Sequence, residues 1–426
     1  MTLSIGRVGI WTGALDAHPT AVAQDAARRL EELGYPTLWI PEAVGRDPFV
    51  SSANLLAATS TLRLATGWQR SMTGLASHPA GDAHHFVAPD YDTLVDSPIV
   101  VGNPAVYDFT VDGVPHQLVN VGEGGIFDGA TAAKDLETIV GEHRRFWGSL
   151  PYDRYVFFNL ITEAGGGLEH KNASTLMTSR WATRTRRAYL SWLELASHEH
   201  FHAWNVKRLR PVELGPFDYE SENITRSLWT VEGITDYYGD LEVARAGLAT
   251  REEYLNDLST VIESLQTTPG RLVQSTELAS FDAWIKYYRP DENSPNASIS
   301  YYTKGAVVAF LLDAKIRTVT SGRRSLDDVM RVAYPQFSGP SGYTQEQFRA
   351  VAEQVAGVSL KAFWEQALDV VRMGAENKQI NRSGTTGHRL HRSDQSCRGS
   401  RRLSRVRPPC ASTPVHPRPQ CSGSNG

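Results

Sequence analysis

The stretch Ser197-His198-Glu199-His200-Phe201-His202 decides how this chain is interpreted. It places two histidines four residues apart, with a glutamate directly after the first. On a helix this spacing puts His198 and His202 on one face, one turn apart, where both imidazoles can reach a single Zn²⁺ ion. Glu199 then lies beside the metal, where a carboxylate can take a proton from water. The stretch therefore predicts a helix that carries a zinc centre.

A zinc centre of this kind needs a third protein ligand, commonly a glutamate on a second helix. Glu232, about thirty residues after His202, is the candidate. Asp236 lies one helical turn further on, where it can accept the other N–H of a ligand histidine and fix its tautomer. A simple surface charge is the alternative interpretation of Asp236. His200 points away from the metal face, because each helical residue turns by about 100°, and we expect it to be structural or to line the cleft.

Composition limits the class of protein. The chain has 426 residues, enough for two or three domains, with 41% hydrophobic and 21% charged residues and a net charge of −4. This balance argues against nucleic acid or an acidic membrane surface as the main partner. No apolar run is as long as a membrane span. The first twenty residues lack a basic region followed by an apolar stretch, so we expect no signal peptide and a cytoplasmic protein.

The cysteines restrict the chemistry of any metal site. Cys397, Cys410 and Cys421 all lie close to the C-terminal end of the sequence. The rest of the chain has neither a disulfide framework nor thiolate ligands for zinc. We therefore expect histidine and carboxylate side chains to hold the metal.

The first part of the chain alternates between strand and helix patterns. Such alternation predicts parallel strands in βαβ units. Gly34 follows the first helix as a C-cap, with Pro36 just beyond it. The predicted strands are Arg7–Trp11, Thr37–Ile40 and Leu62–Thr66, and the predicted helices are about Thr20–Leu33 and Pro48–Ala58.

The middle part, from about Pro89 to Leu368, begins with strands and continues with helices. Asp112-Gly113 is a favourable hairpin turn between two of the strands. An early antiparallel sheet followed by a helical lobe predicts an α+β fold. The predicted strands are Ser97–Gly102, Tyr107–Val111, Gln117–Val121 and Tyr155–Leu160, and the longest predicted helices are Ala132–Phe146, Arg186–Val206, Leu228–Ala246, Arg251–Leu265 and Thr303–Thr318.

These patterns divide the chain into five segments. Residues 1–66 form the βαβαβ segment, and 67–88, with His84 and His85, form a junction. Residues 89–165 contain the strands, and 166–370 contain the metal motif and most of the helices. Residues 371–426 are rich in Arg, Ser, Gly and Pro, and we expect a disordered basic tail that is solvated rather than bound to nucleic acid.

Several runs resemble one known family. The stretch Ser197–Pro211 resembles the signature of the glycyl aminopeptidase family of gluzincin zinc metallopeptidases. Further matching runs follow in the family's order: Tyr91–Pro98, Gly166–Asn172, Leu228–Gly233, and Ser280–Tyr288 continuing to Ser300–Gly305. The resemblance covers about residues 89–368 and implies a thermolysin-like catalytic domain. Of the domains that flank it in this family, we find only the end of a β domain before it and no PDZ-like segment after it.

The resemblance implies a role for individual residues. It assigns His198, His202 and Glu232 as ligands of one Zn²⁺ per chain, and Glu199 as the general base. It implies that the family hydrolyses the N-terminal peptide bond of peptides, with glycine or alanine as the first residue.

Other residues match the family's substrate-binding motifs. Glu169 corresponds to the glutamate that holds the free α-amine of the substrate, and Gly167 lies in the same run. A fixed carboxylate recognises an ammonium group by a charge-assisted hydrogen bond. Tyr302 corresponds to the tyrosine that donates to the developing oxyanion, although the adjacent Tyr301 can also fit that position.

The N-terminal segment is similar to a different family. The runs Gly6–Thr12, Leu30–Tyr35 and Leu38–Ala43 resemble luciferase-like monooxygenases that use flavin or deazaflavin. Those proteins are complete (β/α)₈ barrels, and three parallel strands cannot close a barrel. We therefore expect a partial βαβαβ fragment of a TIM barrel before the α+β domain. Glu42 lies at the C-terminal end of a predicted strand, where active sites of such barrels lie.

Three functions follow from the sequence. The first is a zinc aminopeptidase acting on peptides with a free N-terminus. The second is a zinc-binding remnant whose catalysis is impaired by truncation. The third is a luciferase-like oxidoreductase. Bound zinc without hydrolysis would indicate the second, and flavin-like absorbance would indicate the third. The sequence does not predict the oligomeric state.

Overall fold

The computed structural model describes residues 10–12, 15, 18–39, 48–65, 70–77, 86–102 and 104–368. The predicted disordered tail, His84, His85 and Glu42 lie outside the described residues. Within the described ranges, none of the helices is long and apolar enough to cross a membrane.

A small parallel sheet forms the N-terminal segment. Its strands lie in the order β1 (Ile10–Trp11), β2 (Thr37–Trp39), β3 (Arg63–Ala65), and both pairs are parallel, as the alternating pattern predicts. Its core is formed by Ala23, Ala27, Leu38, Leu55 and Leu62. In chain order the elements are β1 (Ile10–Trp11), α1 (Thr20–Glu32), β2 (Thr37–Trp39), α2 (Pro48–Leu56) and β3 (Arg63–Ala65). The strands described here form an open sheet of three rather than a barrel.

Two short antiparallel ribbons follow. They pair β4 (Arg70–Thr73) with β7 (Ile99–Gly102) and β5 (Ala76–Ser77) with β6 (Phe86–Val87). The predicted strand Ser97–Gly102 is therefore present as β7, but its partner comes from the segment predicted as a junction. A four-residue strand gives too short a pattern to be recognised from sequence. The elements are β4 (Arg70–Thr73), β5 (Ala76–Ser77), β6 (Phe86–Val87), α3 (Tyr91–Val95) and β7 (Ile99–Gly102).

The main sheet has five strands in the order β11 (Gly166–Glu169), β12 (Ala173–Thr178), β10 (Tyr155–Ile161), β9 (Val114–Val121) and β8 (Ala105–Val111). Asp112 and Gly113 adopt φ angles of 52° and 78° in the turn between β8 and β9, so the predicted hairpin is confirmed. Both left-handed positions match the Asp-Gly preference of tight hairpins. The elements are β8 (Ala105–Val111), β9 (Val114–Val121), α4 (Gly129–Trp147), β10 (Tyr155–Ile161), β11 (Gly166–Glu169) and β12 (Ala173–Thr178).

The sheet is mixed, which corrects the expectation of a purely antiparallel one. β10 runs parallel to both β9 and β12, whereas β11 pairs with β12 in the antiparallel direction. The reason is the 19-residue helix α4 between β9 and β10, because a helical crossover returns the chain to the same end of the sheet. β11 remains at the edge, with one side unpaired in this sheet.

A helical lobe follows the sheet, so the predicted α+β architecture is confirmed. Two predicted boundaries differ: the helix expected to reach Val206 ends at Phe201, and the helix expected from Leu228 begins with a π-helical turn at Trp229–Gly233. The helices are α5 (Arg186–Phe201), α6 (Ile234–Arg245), α7 (Arg251–Thr267), α8 (Thr276–Phe281), α9 (Ser294–Ala297), α10 (Tyr301–Val319), α11 (Leu326–Phe337), α12 (Gln345–Ala356) and α13 (Lys361–Leu368). The five-segment division stays a prediction.

Candidate metal centre

The last turn of α5 brings the two predicted histidines to the predicted glutamate. His198 Nε2 and His202 Nε2 lie 2.9 Å apart. Glu232 Oε2 lies 3.3 Å from the first nitrogen and 3.2 Å from the second. All three side chains are largely buried. Two imidazole nitrogens and one carboxylate oxygen that meet at one point form the donor set that Zn²⁺ takes in catalytic sites, so the residues fit that ion.

Hydrogen bonds hold both imidazoles in the orientation that a metal needs. His202 Nδ1 lies 2.6 Å from the backbone oxygen of Asn205, which can only accept, so Nδ1 carries the proton. His198 Nδ1 lies 3.2 Å from Asp236 Oδ1. Each imidazole therefore directs Nε2 toward Glu232. Asp236 lies where the sequence interpretation expects it, next to a predicted ligand.

Glu232 is carried by the π-helical turn Trp229–Gly233. The Asn205 side-chain amide lies 3.1 Å from the Thr230 oxygen and 3.2 Å from the Val231 oxygen, and donates to both. A π turn displaces backbone carbonyls from their usual helical partners. Asn205 thus orients His202 through its carbonyl and supports the Glu232 turn through its amide. The sequence interpretation did not identify it, although it lies in the quoted run.

The cluster favours positive charge. Burial opposes charge on both imidazoles, yet Asp236 and Glu232 raise the pKa of His198, and Glu232 raises the pKa of His202. Burial also opposes the Glu232 carboxylate, but the adjacent His202 and His198 lower its pKa. These are the surroundings that a bound cation requires.

Glu199 lies beside this cluster in a buried environment. Burial raises the pKa of its carboxyl to about 7, against the opposing influence of His198 and His202. A carboxyl group with a pKa near neutrality can both accept and return a proton at neutral pH.

The edge strand β11 brings two predicted substrate-binding residues to Glu199. A Cβ atom at Gly167 would overlap the Glu199 carboxylate, so only glycine allows the strand to lie this close. The carboxylates of Glu169 and Glu199 and a ring nitrogen of His202 all lie within 4.8 Å of one another. A carboxylate on an open strand edge thus lies within reach of the cluster.

A lysine and an aspartate near Glu169 were not identified from sequence. Lys207 Nζ lies 2.6 Å from Asp96 Oδ1, and Asp96 also accepts from the backbone N–H of Lys171 at 2.8 Å. Burial opposes the charge of Lys207, but Glu169 and Asp96 raise its pKa. The ion pair joins the segment after α3 to the region of Glu169.

Tyr302, rather than Tyr301, faces the cluster. The ring centroids of Tyr302 and His198 are 6.2 Å apart. Tyr301 is buried, and its hydroxyl donates to Tyr288 Oη at 3.2 Å. Burial raises the pKa of Tyr302, so its phenol keeps its proton and remains a hydrogen-bond donor.

Two glycines fix the distance between the elements that carry Glu232 and Tyr302. A Cβ atom added to Gly305 would lie 2.8 Å from Gly233 Cα and 3.0 Å from the backbone oxygen of Trp229. The start of α10 therefore touches the π-helical turn backbone to backbone. This close approach sets where Tyr302 lies relative to Glu232.

The opposite face of α5 carries a buried chain of hydrogen bonds. His200 Nδ1 lies 2.8 Å from His143 Nδ1, and His200 Nε2 lies 2.6 Å from the Tyr152 hydroxyl. That hydroxyl lies 3.1 Å from His116 Nε2, and His116 Nδ1 lies 2.9 Å from the Val114 carbonyl. His200 is fully buried, which favours the structural one of its two expected roles over lining the cleft.

Burial lowers the pKa of all three imidazoles, and with neutral imidazoles only one proton arrangement satisfies this chain. The Val114 carbonyl can only accept, so His116 donates to it and accepts from the Tyr152 hydroxyl. Tyr152 then accepts from His200, and His200 accepts from His143. At the far end, Ser197 donates to His143 Nε2 at 3.2 Å. All three imidazoles are neutral in this arrangement.

Comparison with known proteins confirms both resemblances. Residues 191–308 match the family model of M61 glycyl aminopeptidase, and residues 5–87 match that of luciferase-like monooxygenase. The first match contains both histidines, Glu232 and Tyr302 of the candidate centre. No curated protein matches the sequence significantly.

A solved structure shares this fold. An aminopeptidase N family protein from Idiomarina loihiensis is 30% identical, with a TM-score of 0.68, over 72% of this chain and 54% of that one. This chain therefore spans about half the length of that protein. An M1 zinc metallopeptidase from Deinococcus radiodurans is 13% identical, with a TM-score of 0.46, over 73% of this chain and 62% of that one.

Proposed function

We propose that this chain is a zinc-dependent aminopeptidase that hydrolyses the N-terminal peptide bond of peptides. The observation that carries the proposal is that His198, His202 and Glu232 converge beside Glu199, with Glu169 on the adjoining strand edge. The match to M61 glycyl aminopeptidase and the similarity to an aminopeptidase N family protein support it.

In this proposal His198, His202 and Glu232 hold one Zn²⁺ ion. When bound, the ion supplies Lewis-acid chemistry for a peptide carbonyl and for water. Asp236 and the Asn205 carbonyl keep the two imidazoles in the ligating orientation.

The remaining residues move protons and hold the substrate. Glu199 takes a proton from the attacking water and passes it to the amine that leaves. Tyr302 donates a hydrogen bond to the peptide carbonyl oxygen as it becomes an oxyanion. Glu169 binds the α-ammonium group of the substrate, which limits cleavage to the first peptide bond. Gly167 lets the edge strand, and a substrate paired with it, approach Glu199.

We also propose a preferred first residue and a location. A preference for glycine or alanine as the first residue follows from the family resemblance. A cytoplasmic location is consistent with a chain whose three cysteines all lie in its last thirty residues.

The test is hydrolysis of glycyl and alanyl amides by the zinc-loaded full chain. We expect Glu199→Gln to reduce kcat by about 10²–10⁴-fold with zinc retained, because the proton acceptor is lost while the ligands remain. Glu252→Gln, on the exposed side of α7, is the control and should leave kcat unchanged. Acetylation of the substrate's amine should abolish cleavage.

A folded, zinc-loaded protein that hydrolyses none of these amides would contradict the proposal. It would indicate the zinc-binding remnant instead. For the luciferase-like alternative, the described residues of the matching segment form an open three-stranded parallel sheet rather than a closed barrel.

A further inference from the structure

A continuous series of aromatic rings leads from the candidate metal centre to the surface. The ring of Tyr302, which faces His198, lies 5.6 Å from the ring of Tyr287. Tyr287 lies 5.2 Å from Tyr288, and Tyr288 lies 5.8 Å from Trp284. We call these four residues, Tyr302, Tyr287, Tyr288 and Trp284, the aromatic ladder.

The outer part of the ladder is exposed. Trp284 and Tyr288 are each 55% exposed, Tyr287 is 40% exposed, and the neighbouring Ile285 is 68% exposed. Large apolar side chains grouped on a protein surface mark binding sites, and Trp and Tyr are the residues that contribute most to binding energy. By contrast Trp192, Trp204 and Trp229 are fully buried in the core.

The ladder is held in place before any ligand binds. The buried Tyr301 donates to the Tyr288 hydroxyl, and its ring lies 5.0 Å from Tyr287. The backbone N–H of Tyr288 donates to the Ala283 carbonyl at 3.0 Å. Lys286 pairs with Asp282 at 2.7 Å. Rings fixed in this way lose little conformational entropy when they bind a ligand.

The position of the ladder indicates which part of a peptide reaches it. Glu169, the proposed α-amine site, lies within 4.8 Å of Glu199 and His202. The ladder starts at the other ligand, His198. A substrate's first residue extends only from its amine to the bond that is cleaved, so in a peptide that runs from Glu169 toward Tyr302 the residue after that bond is the one nearest the ladder.

We propose that the aromatic ladder binds an aromatic or large apolar side chain on the residue that follows the cleaved bond. This inference rests on the proposed aminopeptidase function and names its substrate class: peptides with a small first residue and a large apolar second residue. Trp284 is the specificity-determining residue, because it is the outermost ring of the ladder and is half exposed.

The test compares three dipeptide amides, Gly-Phe, Gly-Gly and Phe-Gly, with the zinc-loaded full chain. We expect Trp284→Ala to raise KM for Gly-Phe-amide by about 3- to 10-fold with kcat unchanged, which corresponds to the loss of one aromatic contact. KM for Gly-Gly-amide should not change. Trp284→Phe should retain the preference. Trp181→Ala, which removes a tryptophan of nearly equal exposure (56%) after β12, is the matched control.

Equal changes for all three amides, or a change confined to Phe-Gly-amide, would overturn the proposal. Calorimetric binding of the same amides to the Glu199→Gln variant separates it from the proposed function. One outcome is that Gly-Phe-amide binds more tightly than Gly-Gly-amide in a way that depends on Trp284, while the wild type hydrolyses neither. That result would support binding by the aromatic ladder and contradict the proposed aminopeptidase activity. Hydrolysis with equal affinities for Gly-Phe-amide and Gly-Gly-amide would support the aminopeptidase activity and contradict side-chain binding by the aromatic ladder.

Discussion

The two faces of α5 use the same residue type for opposite purposes. On one face His198 and His202 meet the carboxylates of Glu232 and Asp236, and their pKa values are raised. On the other face His200 meets His143 and Tyr152 in a core without a facing carboxylate among its hydrogen-bond partners, and burial lowers its pKa.

The difference lies in the neighbours rather than in the histidines. Carboxylates opposite an imidazole make its surroundings favourable for a cation, whether a proton or a metal ion. Neutral imidazoles in a dry core are satisfied only by partners of the right donor and acceptor type. We therefore expect changes on the first face to affect metal binding and changes on the second face to affect stability.

The largest expected effect is on the metal face. His202→Ala removes one of three proposed ligands, so we expect zinc binding to fall below one ion per chain and hydrolysis to fall by about 10³-fold or more. The free energy of unfolding of the metal-free protein should change less than for a substitution on the opposite face. Inductively coupled plasma mass spectrometry of dialysed protein measures the zinc content.

His143→Ala is the counterpart on the opposite face. It leaves His200 and Ser197 without their partner inside the core, so we expect a loss of about 2–4 kcal/mol in the free energy of unfolding, with zinc content retained. Loss of zinc without loss of stability would contradict the division between the two faces.

Asn205 sharpens the comparison because it acts on the metal face without contacting the metal. Asn205→Ala removes the amide that donates to Thr230 and Val231, while the backbone carbonyl that orients His202 remains. We expect zinc affinity to fall about 10- to 100-fold, as measured by competition with a chelator. Asn256→Ala, at an exposed position of α7, should leave it unchanged. Equal zinc affinities for both variants would show that Asn205 does not support the metal centre.

The contact between Gly233 and Gly305 offers a test of how the ligand and the tyrosine are held together. Gly305→Ala forces the two backbones apart, so we expect a loss of about 1–3 kcal/mol in stability and a lower kcat. Gly141→Ala is the matched control, because the space around that helical glycine is open. It should stabilise the protein by up to about 1 kcal/mol. Urea unfolding measures both, and the same sign for both would refute the close-contact argument.

The smallest expected effect is the pH dependence that comes from the face opposite the metal. Burial lowers the pKa of His143 to about 3 and that of His116 to about 4, whereas an unfolded histidine titrates near pH 6.5. The unfolded state therefore binds more protons between these values. The stability from the neutral imidazoles is complete above about pH 6.5 and is lost as the pH falls.

At pH 5.5 this loss amounts to about 1–2 kcal/mol for each imidazole. Urea unfolding of zinc-free protein from pH 7.5 to 5.5 measures it. In His143→Gln the unfolded state should bind about one proton fewer relative to the folded state, so the free energy of unfolding should change less steeply with pH. An unchanged slope would show that His143 is not neutral in the folded state.

The features that were predicted correctly from the sequence depend mostly on a few neighbouring residues. The spacing of His198 and His202 requires only a helix, and Asp112-Gly113 requires only a tight turn, so both were predictable from a few residues. The parallel direction of β10 was missed because it depends on where α4 returns the chain, which no strand pattern records.

The supporting residues of the site were missed for a related reason. Asn205 acts on a turn about 25 residues away, and His143 meets His200 across 57 positions of sequence. The contact of Gly233 with Gly305 likewise joins two helices that are distant in sequence. Such partners are fixed by packing rather than by local composition, so a single sequence gives no signal for them.

The most direct test of the central claim is zinc stoichiometry and affinity for the wild-type full chain and Glu232→Gln, measured side by side by native mass spectrometry and chelator competition. We expect one zinc ion per chain in the wild type and its loss in the variant, with the fold preserved. No zinc in the wild type, or equal affinity in both proteins, would contradict the claim that His198, His202 and Glu232 form a metal centre.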